Sequence, residues 1–178
     1  MILYQTELLT PESSRQKTKE RVPFSKDGSE YVIALCRLWV KIIHLKEDES
    51  KREAFMETFN QWQSLSCLLG AEVVHAMDRF MSLLARHCLT DMIMGCRCCG
   101  KLSPDEINLL SMLFSLQSGQ REKAYEILAR KVEAQHLEMT FHTLILIACS
   151  LQKIGLPIKG EILEALSQET YRVRRAVH

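Results

Sequence analysis

Cys96-Arg97-Cys98-Cys99-Gly100-Lys101-Leu102-Ser103-Pro104-Asp105-Glu106 sets three thiols directly before the strongest helix-start signal in the chain. Ser103 is suited to accept from the backbone N–H groups of a first turn, and Pro104 fits the first helical position, where its missing N–H has no intrahelical partner. Glu106 completes a Ser-x-x-Glu capping box and brings its charge to the positive end of the helix dipole. A helix is therefore expected from Ser103 to about Ser118, with a thiol-bearing connector ahead of it.

Reading toward the N-terminus, residues 90–102 show no apolar period and are expected to form a loop between two helical groups. Before that loop, Val73, Val74, Met77, Phe80, Met81, Leu84 and Cys88 make one amphipathic stripe that ends near Leu89. Phe55, Phe59, Trp62, Leu65 and Leu69 make another, closed by Gly70, a residue suited to a helix terminus. Tyr31, Leu35, Leu38, Ile42 and Leu45 mark a first helix. Residues 1–28, with Pro11, Pro23, Gly28 and mixed charges, read as a flexible or loosely docked arm.

Reading toward the C-terminus, the chain resembles itself at an offset of 35 residues. Ser115-Leu116-Gln117 recurs as Ser150-Leu151-Gln152, and Glu126-Ile127-Leu128 as Glu161-Ile162-Leu163. Each copy reads as a helix, a glycine turn at Gly119 or Gly155, and a returning helix, the length of αα-hairpin that helical repeat proteins use. The Trp, Leu-Gly and Tyr positions of tetratricopeptide repeats are absent. The fold class expected is all-α, a helical bundle or short stack of αα-hairpins with six to seven helices. Its single domain over 29–178 divides into N-terminal helices (29–89), the Cys-rich connector (90–102) and two αα-hairpins (103–178).

The chain has 178 residues, 47% of them hydrophobic, enough for a substantial core without staples. Twenty-three basic and 22 acidic residues leave a net charge of +1, which argues against a nucleic-acid partner. The longest uncharged apolar run, Thr143 to Leu151, is about half of what a membrane span needs. Seven cysteines without a secretory leader suit a reducing compartment, so a cytoplasmic location is expected.

Candidate chemistry centres on the thiols. Zinc is a borderline-soft ion of tetrahedral preference, and His87, Cys88, Cys96, Cys98 and Cys99 lie close enough in sequence to supply four ligands. Adjacent side chains such as His87 and Cys88 diverge unless the backbone turns sharply, which weighs against that ligand set. Alternatively, Arg97, Lys101 and the helix start supply positive potential that would favour a redox-active thiolate at Cys98 or Cys99. Cys36, Cys67 and Cys149 lie among apolar residues and read as core fillers.

Glu72-x-x-His75 and Glu133-x-x-His136 show the spacing that di-iron carboxylate bundles use, with Glu57 and one of Glu106, Glu122 or Glu126 as further ligands. Arg172, Arg174 and Arg175 form a small basic tail. No Gly-x-Ser-x-Gly elbow, P-loop or Gly-x-Gly-x-x-Gly stretch occurs.

The leading expectation is a non-enzymatic protein-interaction or regulatory module. A groove between helices would bind a protein partner through Trp39, Trp62, Met92, Ile93, Met94 or Phe114, although Trp39 and Trp62 also suit a core. The alternatives are a zinc-binding or thiol redox sensor using Cys96, Cys98 and Cys99, and, more remotely, a di-iron oxidase.

Overall fold

The computed structural model describes residues 2–4, 27–46, 48–95 and 101–160. Six α-helices are found among them: α1 (Gly28–Lys46), α2 (Arg52–Leu69), α3 (Ala71–His87), α4 (Pro104–Gln117), α5 (Arg121–Ala129) and α6 (Ala134–Lys153). The fold is all-α, as the apolar periods imply. No described helix is long and apolar enough to cross a membrane.

The central layer is made by α1, α3, α4 and α6. Val32, Leu35 and Cys36 of α1, Met77 and Phe80 of α3, Leu110 and Leu113 of α4, and Leu144 and Ile147 of α6 are fully buried in one core. Each large side chain among them contributes about 2 kcal/mol of transfer free energy. Helix α2 lies outside this layer, against α1. Only Thr58 and Leu69 of α2 are buried, while Trp62 and Leu65 pack half-buried on the core.

Helices α3 and α6 run antiparallel. His87 at the end of α3 stacks on His136 in the first turn of α6, and Lys153 at the end of α6 pairs with Glu72 at the start of α3, 3.4 Å apart.

Two short strands form where an arm and a loop are expected from the sequence. Ile2–Tyr4 (β1) pairs in parallel with Met92–Met94 (β2), Leu3 opposite Ile93. Met92 and Met94 are buried, whereas Ile93 between them is 38% exposed, the alternation a strand imposes. The Met92-Ile93-Met94 run is thus largely core, and so is Trp39, whose indole N–H donates to Asp78 at 2.8 Å. Trp62 and Phe114 also pack against the core.

The expected capping box is present in full. Ser103 Oγ accepts from the Glu106 N–H, and Glu106 Oε2 accepts from the Ser103 N–H. Ser103 Oγ also donates to the Ile93 carbonyl, and Asp105 accepts from the Ile93 N–H, so the start of α4 is fastened to β2 from two sides.

The turn after α4 is repeated bond for bond after α6. Gly119 N donates to the Leu116 carbonyl and Gln120 N to that of Ser115; Gly155 N donates to Gln152 and Leu156 N to Leu151. Both are Schellman turns with a glycine at positive φ, +77° at Gly119 and +75° at Gly155. Gln117 and Gln152, the matched glutamines of the sequence repeat, touch: Gln152 Nε2 donates to the Gln117 carbonyl at 3.1 Å. The Gln117 side chain reaches onward, donating to the Ala148 carbonyl and accepting from the Ile158 N–H.

Candidate functional site

Two clusters of polar side chains stand out against this helical frame. The first is buried. Arg37 is the one charge in the apolar run Val32–Val40 of α1, and it meets Glu106 in a two-bond pair. Arg37 is 7% exposed and Glu106 0%. Glu106 also accepts from the N–H groups of Gly95 and Ser103, and an Arg37 Nη donates to the Lys101 carbonyl. Four donors around one carboxylate satisfy its lone pairs, the condition under which a buried charge is tolerated. Gly95 is required here, because a Cβ at that position would stand 2.7 Å from the guanidinium.

The two residues this pair grips, Gly95 and Lys101, flank the cysteine stretch. Cys96, Cys98 and Cys99, expected as zinc or redox thiols, lie outside the described residues, as do the basic tail residues Arg172, Arg174 and Arg175.

The second cluster is at the surface, where α3 ends and α6 begins. Residues 87–89 and 131–133 lie antiparallel, joined by Leu89 N to the Lys131 carbonyl and Glu133 N to the His87 carbonyl, with Cys88 opposite Val132. Alternation along such a pair sends neighbouring side chains to opposite faces. Cys88 therefore shares a face with buried Val132, while His87 shares the other with Glu133. The adjacent His87 and Cys88, both expected as ligands of one ion, are separated by this geometry.

Helix α6 supplies the third member. The His136 N–H donates to the Glu133 carbonyl, which fixes the first turn and sets Glu133 and His136 on one side of it. One Glu133 oxygen lies 3.8 Å from Nδ1 of His87 and 3.8 Å from Nε2 of His136. The imidazole rings stack with centroids 3.5 Å apart at an angle of 21°. One nitrogen from each ring and one carboxylate oxygen lie within 4.8 Å of one another.

In sequence, His87 belongs to the expected zinc set and Glu133-x-x-His136 to the di-iron spacing, and the fold brings all three together. The other half of the di-iron pattern does not join them. Glu72 and His75 stand near the opposite end of α3, the nearer of them, His75, twelve residues and about 18 Å of helix from His87. There they line a surface groove of about 400 Å³ with Ala76, Arg79, Thr143, Leu146 and Ser150.

The remaining described thiols divide by environment. Burial pushes the Cys36 thiol far above its ordinary range, and burial also raises that of Cys88. Cys67 and Cys149, expected as core fillers, are instead exposed, on the outer sides of α2 and α6. No family model matches this chain, and neither a curated protein nor a solved structure shows a significant match to it.

Proposed function

We propose that this chain is a non-enzymatic protein-interaction module in which stacked αα-hairpins present a helix-binding groove. The observation that carries this reading is the bond-for-bond repetition of the Schellman turn after α4 and α6, with the matched glutamines in contact. Stacked helix pairs offer extended surfaces to protein partners, and the returning helix expected after Gly155, with Glu161-Ile162-Leu163, lies outside the described residues.

The groove is the one between α3 and α6. Its exposed apolar residue, Leu146, is 57% accessible and is bracketed by Glu72, His75 and Arg79. A partner helix with one apolar anchor between an acidic and a basic residue complements that pattern.

A photo-crosslinker at Ser150 of the full chain, in extract from its native cell, tests this. A discrete adduct through a helical segment of the partner, falling at least tenfold with Leu146→Asp while the helical circular dichroism is kept, supports the reading. Adducts that ignore Leu146→Asp contradict it.

A thiol-sensing or zinc-binding role has one observation in its favour. Both flanks of the cysteine stretch are held by the same Arg37–Glu106 pair, so a chemical change at Cys96, Cys98 or Cys99 would bear on the contact between α1 and α4.

A further inference from the structure

We propose that Nδ1 of His87, one carboxylate oxygen of Glu133 and Nε2 of His136 bind a divalent transition ion, with zinc the best match. Two imidazoles and a carboxylate are an established donor set for zinc, leaving a fourth position for water. This goes beyond the interaction module, and it uses none of the loop cysteines.

The geometry is close to what an ion requires. Donor atoms about 2.0–2.1 Å from a tetrahedral zinc stand about 3.3 Å apart. Each imidazole nitrogen is already 3.8 Å from the shared oxygen, so the contraction needed is roughly half an ångström on those two edges. An ion must also lie in the plane of each ring it binds, and two rings stacked at 21° do not meet that condition as they stand. The rings must turn out of the stack. Both have room to do so, since the His87 and His136 side chains are 23% and 26% exposed.

The backbone is organised for the task. The antiparallel pairing of 87–89 with 131–133 holds the Cα atoms of His87 and Glu133 opposite one another before any ion arrives. Preorganisation of this sort lowers the ordering cost of binding. A bound ion would clip the end of α3 to the start of α6 and so close the segment carrying β2, the cysteine connector, α4 and α5.

The test is a cobalt(II) titration of the full chain under reducing conditions, read by electronic absorption, in the wild type and in a Cys96→Ser, Cys98→Ser, Cys99→Ser background. The proposal expects one ion per chain at this site in that background, with visible d–d bands, no thiolate-to-cobalt charge-transfer band, and displacement by zinc. His136→Ala and Glu133→Gln, each compared with its parent in chelator to confirm an equal melting temperature, should weaken binding at least about tenfold. Zinc should raise the melting temperature of the parent and not of the variants. Loss of binding in the triple-serine background, or undiminished affinity in His136→Ala and Glu133→Gln, would overturn the proposal.

Discussion

Arg37 and Glu106, 69 positions apart in sequence, meet with Nε 2.6 Å from Oε1 and Nη2 2.8 Å from Oε2 inside the helical core. The pair joins α1 to α4, and through Gly95 and Lys101 it holds both sides of the cysteine stretch. Removing one partner leaves an uncompensated buried charge, so Arg37→Met or Glu106→Leu should each lower stability by about 3–5 kcal/mol. The double replacement Arg37→Met with Glu106→Leu removes both charges and should cost less than the two single changes summed. Urea denaturation of the four proteins checks this, and additivity would contradict it.

The capping box at α4 predicts a smaller effect. Ser103→Ala deletes the acceptor for the Glu106 N–H and the donor to Ile93, and should cost about 1–2 kcal/mol. Because Ile93 belongs to β2, hydrogen exchange at Met92–Met94 should rise along with exchange in the first turn of α4.

The duplicated turn yields a paired prediction. A Cβ at Gly119 or Gly155 meets nothing within 4 Å, so the cost of alanine there comes from positive φ alone, about 1–2 kcal/mol at each site. Equal costs at the two glycines, additive in the double variant, follow if the turns are equivalent. A marked inequality in urea melts would break the equivalence.

Helices α1 and α3 were legible because burial follows the apolar period, the start of α4 because a capping box is a local device, and α5 and α6 through the repeat. The glycine turns of the repeat recur with a slip of one residue, while its Glu161-Ile162-Leu163 copy lies outside the described residues. The matched glutamines are 35 apart, but Gly119 and Gly155 are 36 apart, because Gln117 ends its helix while Gln152 is followed by Lys153. Cys67 and Cys149 were misassigned because apolar neighbours in sequence do not share a helix face. The Arg37–Glu106 pair has a signal in sequence: a lone arginine in an otherwise apolar run, where it is buried, needs a paired acid. The convergence of His87 with Glu133 and His136 left none, since it depends on pairing between two segments over forty residues apart. The β1–β2 pairing is similarly non-local, and three residues are too short for alternation to be read.

The thiols predict a pH response. Thiolate is the reactive form, and the buried Cys36 thiol is held neutral, so among the described cysteines mass-mapped alkylation should modify Cys67 and Cys149 first, Cys88 slowly, and Cys36 only on unfolding. A group whose pKa is raised in the folded state adds stability that is full below its unfolded pKa and is lost as pH rises above it. For Cys36 the loss should begin near pH 8.5, approaching about 1.4 kcal/mol per pH unit. Cys36→Ala should remove that part of the slope in urea melts run from pH 7 to pH 10.

Both the groove around Leu146 and the His87–Glu133–His136 cluster depend on the antiparallel seating of α3 on α6. Nuclear Overhauser contacts between assigned imidazole protons in the metal-free chain test it directly. With ring centroids 3.5 Å apart, strong cross-peaks between His87 and His136 are expected. Assigned, sharp resonances from both rings with no cross-peak between them would rule out this seating of the two helices.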